Sequence, residues 1–136
     1  GSIAVTDTMG GQIQLTYSSL VTVIQHVKSG KLKAIGMTDK ARYPGLPDVP
    51  SLAETLPGFE MNSWLGLFAP AGLPAPILDR VHQATVAALR APDVRNKLES
   101  AGLLPIGNTP AQFAAIQKSD FERRGKLIKS ANIQGD

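Results

Sequence analysis

The 136-residue sequence contains no cysteine. That absence removes disulfides, thiolate chemistry and cysteine-type zinc sites together, and it fits many compartments without selecting one. No apolar run is long enough to span a bilayer, and residues 1–20 show no basic start followed by a hydrophobic stretch of the signal-peptide kind. A strong charge of one sign is missing too. The net charge is +3, the 14 Lys and Arg are scattered, and only Glu122-Arg123-Arg124-Gly125-Lys126 gathers them, on a predicted helix. Nothing in that distribution points to nucleic acid. There is no internal repeat and no low-complexity segment. What is present, 43% hydrophobic and 18% charged residues, suits a globular protein with a real core.

Local patterns predict alternating helices and strands. Residues 3–9 form a short helix capped by Ser2 and stopped by Gly10-Gly11, because Ser accepts from orphan N–H groups and Gly tolerates a left-handed turn. Ile13, Leu15 and Tyr17 alternate as in a strand. Ser18 or Ser19 caps a second helix with Leu20, Val23, Ile24 and Val27 on one face and Gly30 as its stop. A strand over 32–38 follows, then a proline-punctuated loop and the capping-box pattern Ser51-Leu52-Ala53-Glu54, ended by Pro57-Gly58. The run 61–69 is apolar without clean alternation, which predicts a strand covered on both faces, with Trp64 in the core. Pro70 stops it, and Pro76 suits the first turn of a helix over 75–90 that turns Ile77, Leu78, Val81, Thr85, Ala88 and Leu89 to the core. Pro92 reopens a helix that Gly102 closes, 103–106 is a last short strand, and Thr109-Pro110 starts a long helix with Phe113, Ile116, Phe121 and Ile128 on its apolar side. The alternation predicts an α/β fold with a largely parallel sheet.

Catalytic signatures are weak. His26 and His82 each lack a second ligand at i+4, so no metal is expected. Asp7, Ser18 or Ser19, and His26 invite a nucleophilic triad, yet no G-x-S-x-G elbow is present and capping explains a serine before a helix. Gly10-Gly11-Gln12 follows a helix instead of a strand, the wrong context for a phosphate loop. Gly1-Ser2-Ile3 has more promise, because a helix start behind glycine offers N–H groups and a positive dipole end to a carboxylate.

Several multi-residue motifs in order carry a resemblance. GKLKAIGMTDKARYPGLPDVPSLAETLPGFE, residues 30–60, is similar to G-K-L-K/R-A, a strand, an Arg, then L-P-D-V-P-S/T-x-x-E and P-G-Y/F-E. SWLGLFAPAGLPAPI, residues 63–77, is similar to S/T-W-x-G-x-x-A-P-A-G-x-P-x-P. Met9-Gly10-Gly11-Gln12 resembles L-G-G-Q, and Gly102 to Phe113 resembles G-x-x-P-x-G-x-T-P-x-x-F. Together they resemble the periplasmic receptors of tripartite tricarboxylate transporters, the TctC or Bug family.

The resemblance implies part of a two-lobed, type II periplasmic-binding-protein fold, truncated, with each lobe an α/β sheet. It places this chain as the C-terminal portion: 1–62 the later half of the second, ligand-binding lobe, and 63–136 the crossover strand and completion of the first lobe. Gly1 and Ser2 fall where the family carries K-G-S/T, so they are expected to be native. The implied function is noncatalytic capture of a small carboxylate in the periplasm for membrane permease subunits, with no cofactor. Implied ligand contacts are Ser2, Ile3 and Ala4 at the helix start and Ser18 and Ser19 after the strand, with Trp64 and Gly66 near the cleft or hinge. Three departures stand out: Ser18 where many members have Asp, a helix before Pro57 that is one residue short, and Arg124 in place of a common Trp. Missing sheet partners would favour dimerisation or segment exchange. Two alternatives stay open, a small α/β hydrolase or transferase using Ser18 or Ser19 with His26, and a self-associating interaction module.

Overall fold

The computed structural model describes residues 2–134. Five α-helices follow in order: α1 (Ser2–Met9), α2 (Leu20–Lys28), α3 (Ala75–Arg90), α4 (Pro92–Ser100) and α5 (Pro110–Ser130), with a 3-10 turn at Leu52–Glu54. They belong to two compact units. The first runs to Ala71 and takes in Ala91–Pro105, and the second comprises Gly72–Arg90 and the chain from Ile106 onward.

Local chemistry fixes the helix ends. Ser2 is the first residue of α1 rather than its cap, and Gly1 lies outside the described residues. The α1 hydroxyls of Thr6 and Thr8 donate back to the carbonyls of Ser2 (3.1 Å) and Ala4 (2.7 Å), the usual refuge of a helical threonine. Gly11 then takes a φ of 75°, which ends the helix as the sequence predicts. Ser19 occupies the cap position of α2, yet its side chain makes no capping bond, and the start is held by Thr22 N–H donating to Ser19 O at 2.9 Å. Both predicted boxes form elsewhere. Ser51 Oγ accepts from Ala53 N–H (3.1 Å) while Glu54 Oε1 accepts from Ser51 N–H (2.9 Å). At the head of α5, Thr109 Oγ1 accepts from Gln112 N–H (3.2 Å) and Gln112 Oε1 accepts from Thr109 N–H (2.9 Å).

The strands behave differently. Among the described residues there is no strand, only an isolated parallel bridge between Met37 and Ser51, made by Met37 N–H to Pro50 O and Leu52 N–H to Met37 O, each 2.8 Å. Met61 N–H adds one bond to Thr38 O at 3.0 Å. The stretches 13–17, 32–38, 61–69 and 103–106 therefore lack the continuous ladder of a largely parallel sheet. Period-two patterning selects a face, but a ladder also needs a neighbouring strand in register, which the described residues do not supply. The expectation of a doubly covered run at 61–69 is corrected accordingly: Leu65 is 82% exposed, Leu67 and Phe68 are exposed, and Trp64 is half-buried. In the same way Ile77, Leu78 and Val81 of α3 stay exposed, and none of α3, α4 and α5 contains a buried residue.

The buried core lies in the first unit. Ile24, Met37, Tyr43 and Val49 form one cluster, with Leu20, Ala34 and Leu46 packed against it. Two hydrogen bonds tie the end of α4 to this core. The Tyr43 hydroxyl donates to Glu99 O, and Gln25 Nε2 donates to Ser100 O at 3.4 Å. Behind α4 the chain turns on Gly102 at φ 85°, where a Cβ would sit 2.9 Å from Leu20 Cγ. In the second unit His82 Nε2 meets Asn108 O at 3.1 Å, joining α3 to the segment that leads into α5.

Candidate ligand-binding site

All seven residues expected at the ligand belong to the first compact unit. Ser2 and Ile3 are exposed and Ala4 half-buried on the first turn of α1, while Val5 beneath them is buried and anchors that turn. Ser18 is half-buried and Ser19 exposed at the mouth of α2. No protein group among the described residues hydrogen-bonds the side-chain hydroxyls of Ser2, Ser18 or Ser19. Each of these hydroxyls stands at a helix start, where the first N–H groups lack intrahelical partners. Gly66 is exposed and Trp64 half-buried on the extended run 61–69.

The far end of α1 is closed by side-chain chemistry that the Gly-Gly-Gln motif disguised. Gln12 N–H donates to Asp7 O at 2.9 Å, and its carboxamide nitrogen lies 3.0 Å from Asp7 O and 3.2 Å from Gly10 O, the orientation in which it donates to both. This is a helix stop, as predicted, and no phosphate loop.

The nucleophilic triad does not assemble. Ser19 caps α2 and His26 lies in its last turn, seven residues on. At about 1.5 Å of rise per residue, that separates them by roughly 10 Å along the axis, beyond any hydrogen bond. Among the described residues no group of three or more His, Cys, Asp and Glu side chains is disposed to hold a metal.

Electrostatics concentrate at a place the sequence did not mark. Arg42 grips Glu54 with Nε to Oε1 and Nη2 to Oε2, both 2.7 Å, and donates from Nη1 to Pro47 O at 2.9 Å. This fork and the Ser51 N–H hold the Glu54 carboxyl down at about 2. Asp39 goes the other way, raised first by burial and then by the charge of Glu60. A depressed carboxyl stabilises the fold above its ordinary value of 4.5 and loses that contribution as pH falls through about 2. The stability advantage of the native chain over Glu54→Gln is therefore expected at pH 5–7 and gone near pH 2. Urea unfolding across that range checks it, and a difference that persists at pH 2 contradicts the ion pair as its source.

Two hollows dent the surface. One, of about 520 Å³, lies over Pro76, Ile77, Arg80, Val81 and Ala84 of α3. The other, of about 390 Å³, is lined by Lys40, Ala53, Glu54, Gly58, Phe59 and Glu60. Neither is lined by any of the seven expected contacts.

Comparison with known proteins decides the family. The family model described as "Tripartite tricarboxylate transporter family receptor" matches residues 1–133. The chain belongs to this receptor family. A UPF0065 protein from the tcbD–tcbE intergenic region of Pseudomonas sp. strain P51 is 37% identical over 129 residues, covering 93% of this chain and 38% of the relative. The chain thus spans little more than a third of that relative's length. Periplasmic binding protein BugD superposes with a TM-score of 0.83 at 30% identity, covering 99% of this chain and 46% of BugD. R. palustris Rpa4515, solved with adipate, gives 0.83 at 28% identity, with 97% of this chain and 45% of that one covered. The fold is accordingly of the periplasmic-binding-protein type. Among the described residues no helix is long and apolar enough to cross a membrane.

Proposed function

We propose that this chain forms one wall of a periplasmic solute receptor that captures a small organic carboxylate for the permease of a tripartite tricarboxylate-type transporter, without catalysis. The observation that carries the reading is the match of residues 1–133 to a receptor family, supported by a neighbour of the same fold that was solved with a dicarboxylate, adipate. Residues 1–62 are assigned to the ligand-binding lobe, and 63–136 to the crossover and the completion of the other lobe. The ligand's carboxylate is received by N–H groups around Ser2, Ile3 and Ala4 and by the hydroxyls of Ser18 and Ser19. Trp64 and Gly66 border the cleft. Ser18, which is neutral where many members carry Asp, disfavours a ligand amine and leaves acid recognition intact.

Adipate titrated into the isotope-labelled chain is expected to shift the amide signals of residues 2–4 and 18–20, with a dissociation constant near the millimolar range, because one wall buries less of a ligand than a closed cleft. Ser18→Ala with Ser19→Ala should weaken the response several-fold, and adipamide, the neutral analogue, should give none. Shifts confined to other residues, or equal binding of the diamide, would overturn the assignment. Micromolar binding would contradict the view that this chain supplies only part of the pocket. Ester turnover that disappears in the serine variants would favour the hydrolase reading instead.

A further inference from the structure

Ser19 stands at the cap position of α2 in an extended conformation (φ −62°, ψ 139°), and its side chain makes no capping bond among the described residues. The first turn of α2 carries no acidic residue to offset the helix dipole either. A helix start left in this way frays readily, so the position of Ser18 and Ser19 has to be secured by something other than local sequence.

The hold comes from α4, far along the chain and within the same compact unit as residues 1–71. Behind α4 the turn takes Gly102 to φ 85°, and the Cβ position there lies 2.9 Å from Leu20 Cγ and 3.4 Å from both the Leu20 carbonyl carbon and Ile24 Cδ1. The turn therefore lies close against the first residue of α2, directly after Ser19, and against the buried Ile24 one helical turn on. The clasp is reciprocal. The last carbonyls of a helix lack intrahelical partners, and two of those on α4 are met from beneath: the Tyr43 hydroxyl donates to Glu99 O, and Gln25 Nε2, on α2, donates to Ser100 O at 3.4 Å. Tyr43 is buried in the cluster that contains Ile24, which fixes the ring that carries this hydroxyl. These contacts are made inside the chain, so they do not depend on what covers its surface.

We propose that the turn closing α4, with Tyr43 and Gln25 as positioning residues, holds the start of α2 so that Ser18 and Ser19 meet the ligand's carboxylate. The inference rests on the reading of those two serines as ligand contacts.

Amide hydrogen exchange without ligand gives the first test. Tyr43→Phe keeps the ring, and Glu99 O keeps its bond from Gly102 N–H at 3.0 Å, while Gln25→Ala suits a helix interior, so neither change threatens the fold by itself. Each is expected to speed exchange of amides 22–24 about fivefold, the factor that one hydrogen bond of ordinary worth carries, and to leave amides 5–9 of α1 unchanged. The double variant should then bind adipate at least about twofold more weakly, because fewer chains hold α2 in the competent state. In a chain that already carries Ser18→Ala and Ser19→Ala, the same two changes should weaken adipate no further. Glu54→Gln, which loosens the unit elsewhere, should move neither reading. Unchanged exchange at 22–24 would overturn the proposal while adipate binding by the native chain still stood. Faster exchange with undiminished adipate binding, or a full further loss in the serine-free background, would overturn it too. A native chain whose amides 2–4 and 18–20 ignore adipate would bring down the ligand assignment, and the positioning role with it.

Discussion

Replacing Ile24 by alanine is expected to lower the stability of the first unit by about 3 kcal/mol and to move its urea midpoint down by roughly 1–2 M. Ile24 is 1% exposed, and it belongs to a buried cluster with only three other members, Met37, Tyr43 and Val49. With so few buried side chains, little surrounding mass can collapse into the space of three lost carbons. The cost therefore sits toward the middle or top of the usual range instead of its floor. The loss is also a large share of what a small domain has, since net stabilities of about 5–15 kcal/mol are the norm and small cores lie low in that range. Ile77→Ala on α3 is the matched control. Ile77 is exposed, so that change should stay within about 0.5 kcal/mol. Comparable shifts for the two variants would mean that the cluster around Ile24 is not the core that holds this unit.

Gly102→Val should be nearly as damaging for a different reason. At φ 85° a β-branched residue is strained by about 1–3 kcal/mol, and its Cβ would lie 2.9 Å from Leu20 Cγ and 3.4 Å from Ile24 Cδ1, adding overpacking of similar size. The two costs can be separated. Gly58 has a φ of 82°, but a Cβ there meets nothing within 4 Å, so Gly58→Val carries backbone strain alone. Gly102→Val is expected to lose about 1–3 kcal/mol more than Gly58→Val in parallel urea unfolding, and Leu20→Ala should return part of the difference in the double variant. Equal losses at the two glycines would show that the close approach of the α4 turn to α2 carries no energy.

What the sequence revealed and what it hid divide along the range of the interactions. Thr109 with Gln112 and Ser51 with Glu54 are boxes closed within four residues, and both form as expected. The span 75–90 is a helix to the residue, because Pro76 and the break at 91–92 are local signals. Errors begin where a partner is remote. Ser19 looks like a capping side chain, yet its hydroxyl makes no capping bond among the described residues. The apolar run 61–69 has the composition of a central strand, yet it forms no strand within the described residues, and Met61 N–H makes one ladder-like bond, to Thr38 O. Tyr43 sat in a loop defined by prolines, where nothing local foretold that its hydroxyl would reach Glu99, 56 residues on. The Arg42–Glu54 fork escaped notice for the same reason. For the candidate site, sequence supplied positions through resemblance and the structure supplied their settings. The two helix starts and the unengaged hydroxyls of Ser2, Ser18 and Ser19 are findings of geometry.

The ribbon from Met61 to Ala69 has a consequence beyond architecture. An extended run carrying Leu65, Leu67 and Phe68 at the surface is the type of segment that cellular quality control seizes, since proteases cut extended chain and holdase chaperones grip short apolar stretches. A chain that leaves those side chains at its surface is expected to be cleared faster than one in which they are covered. Turnover in the cell then reports on shelter, even where the helices themselves are well formed.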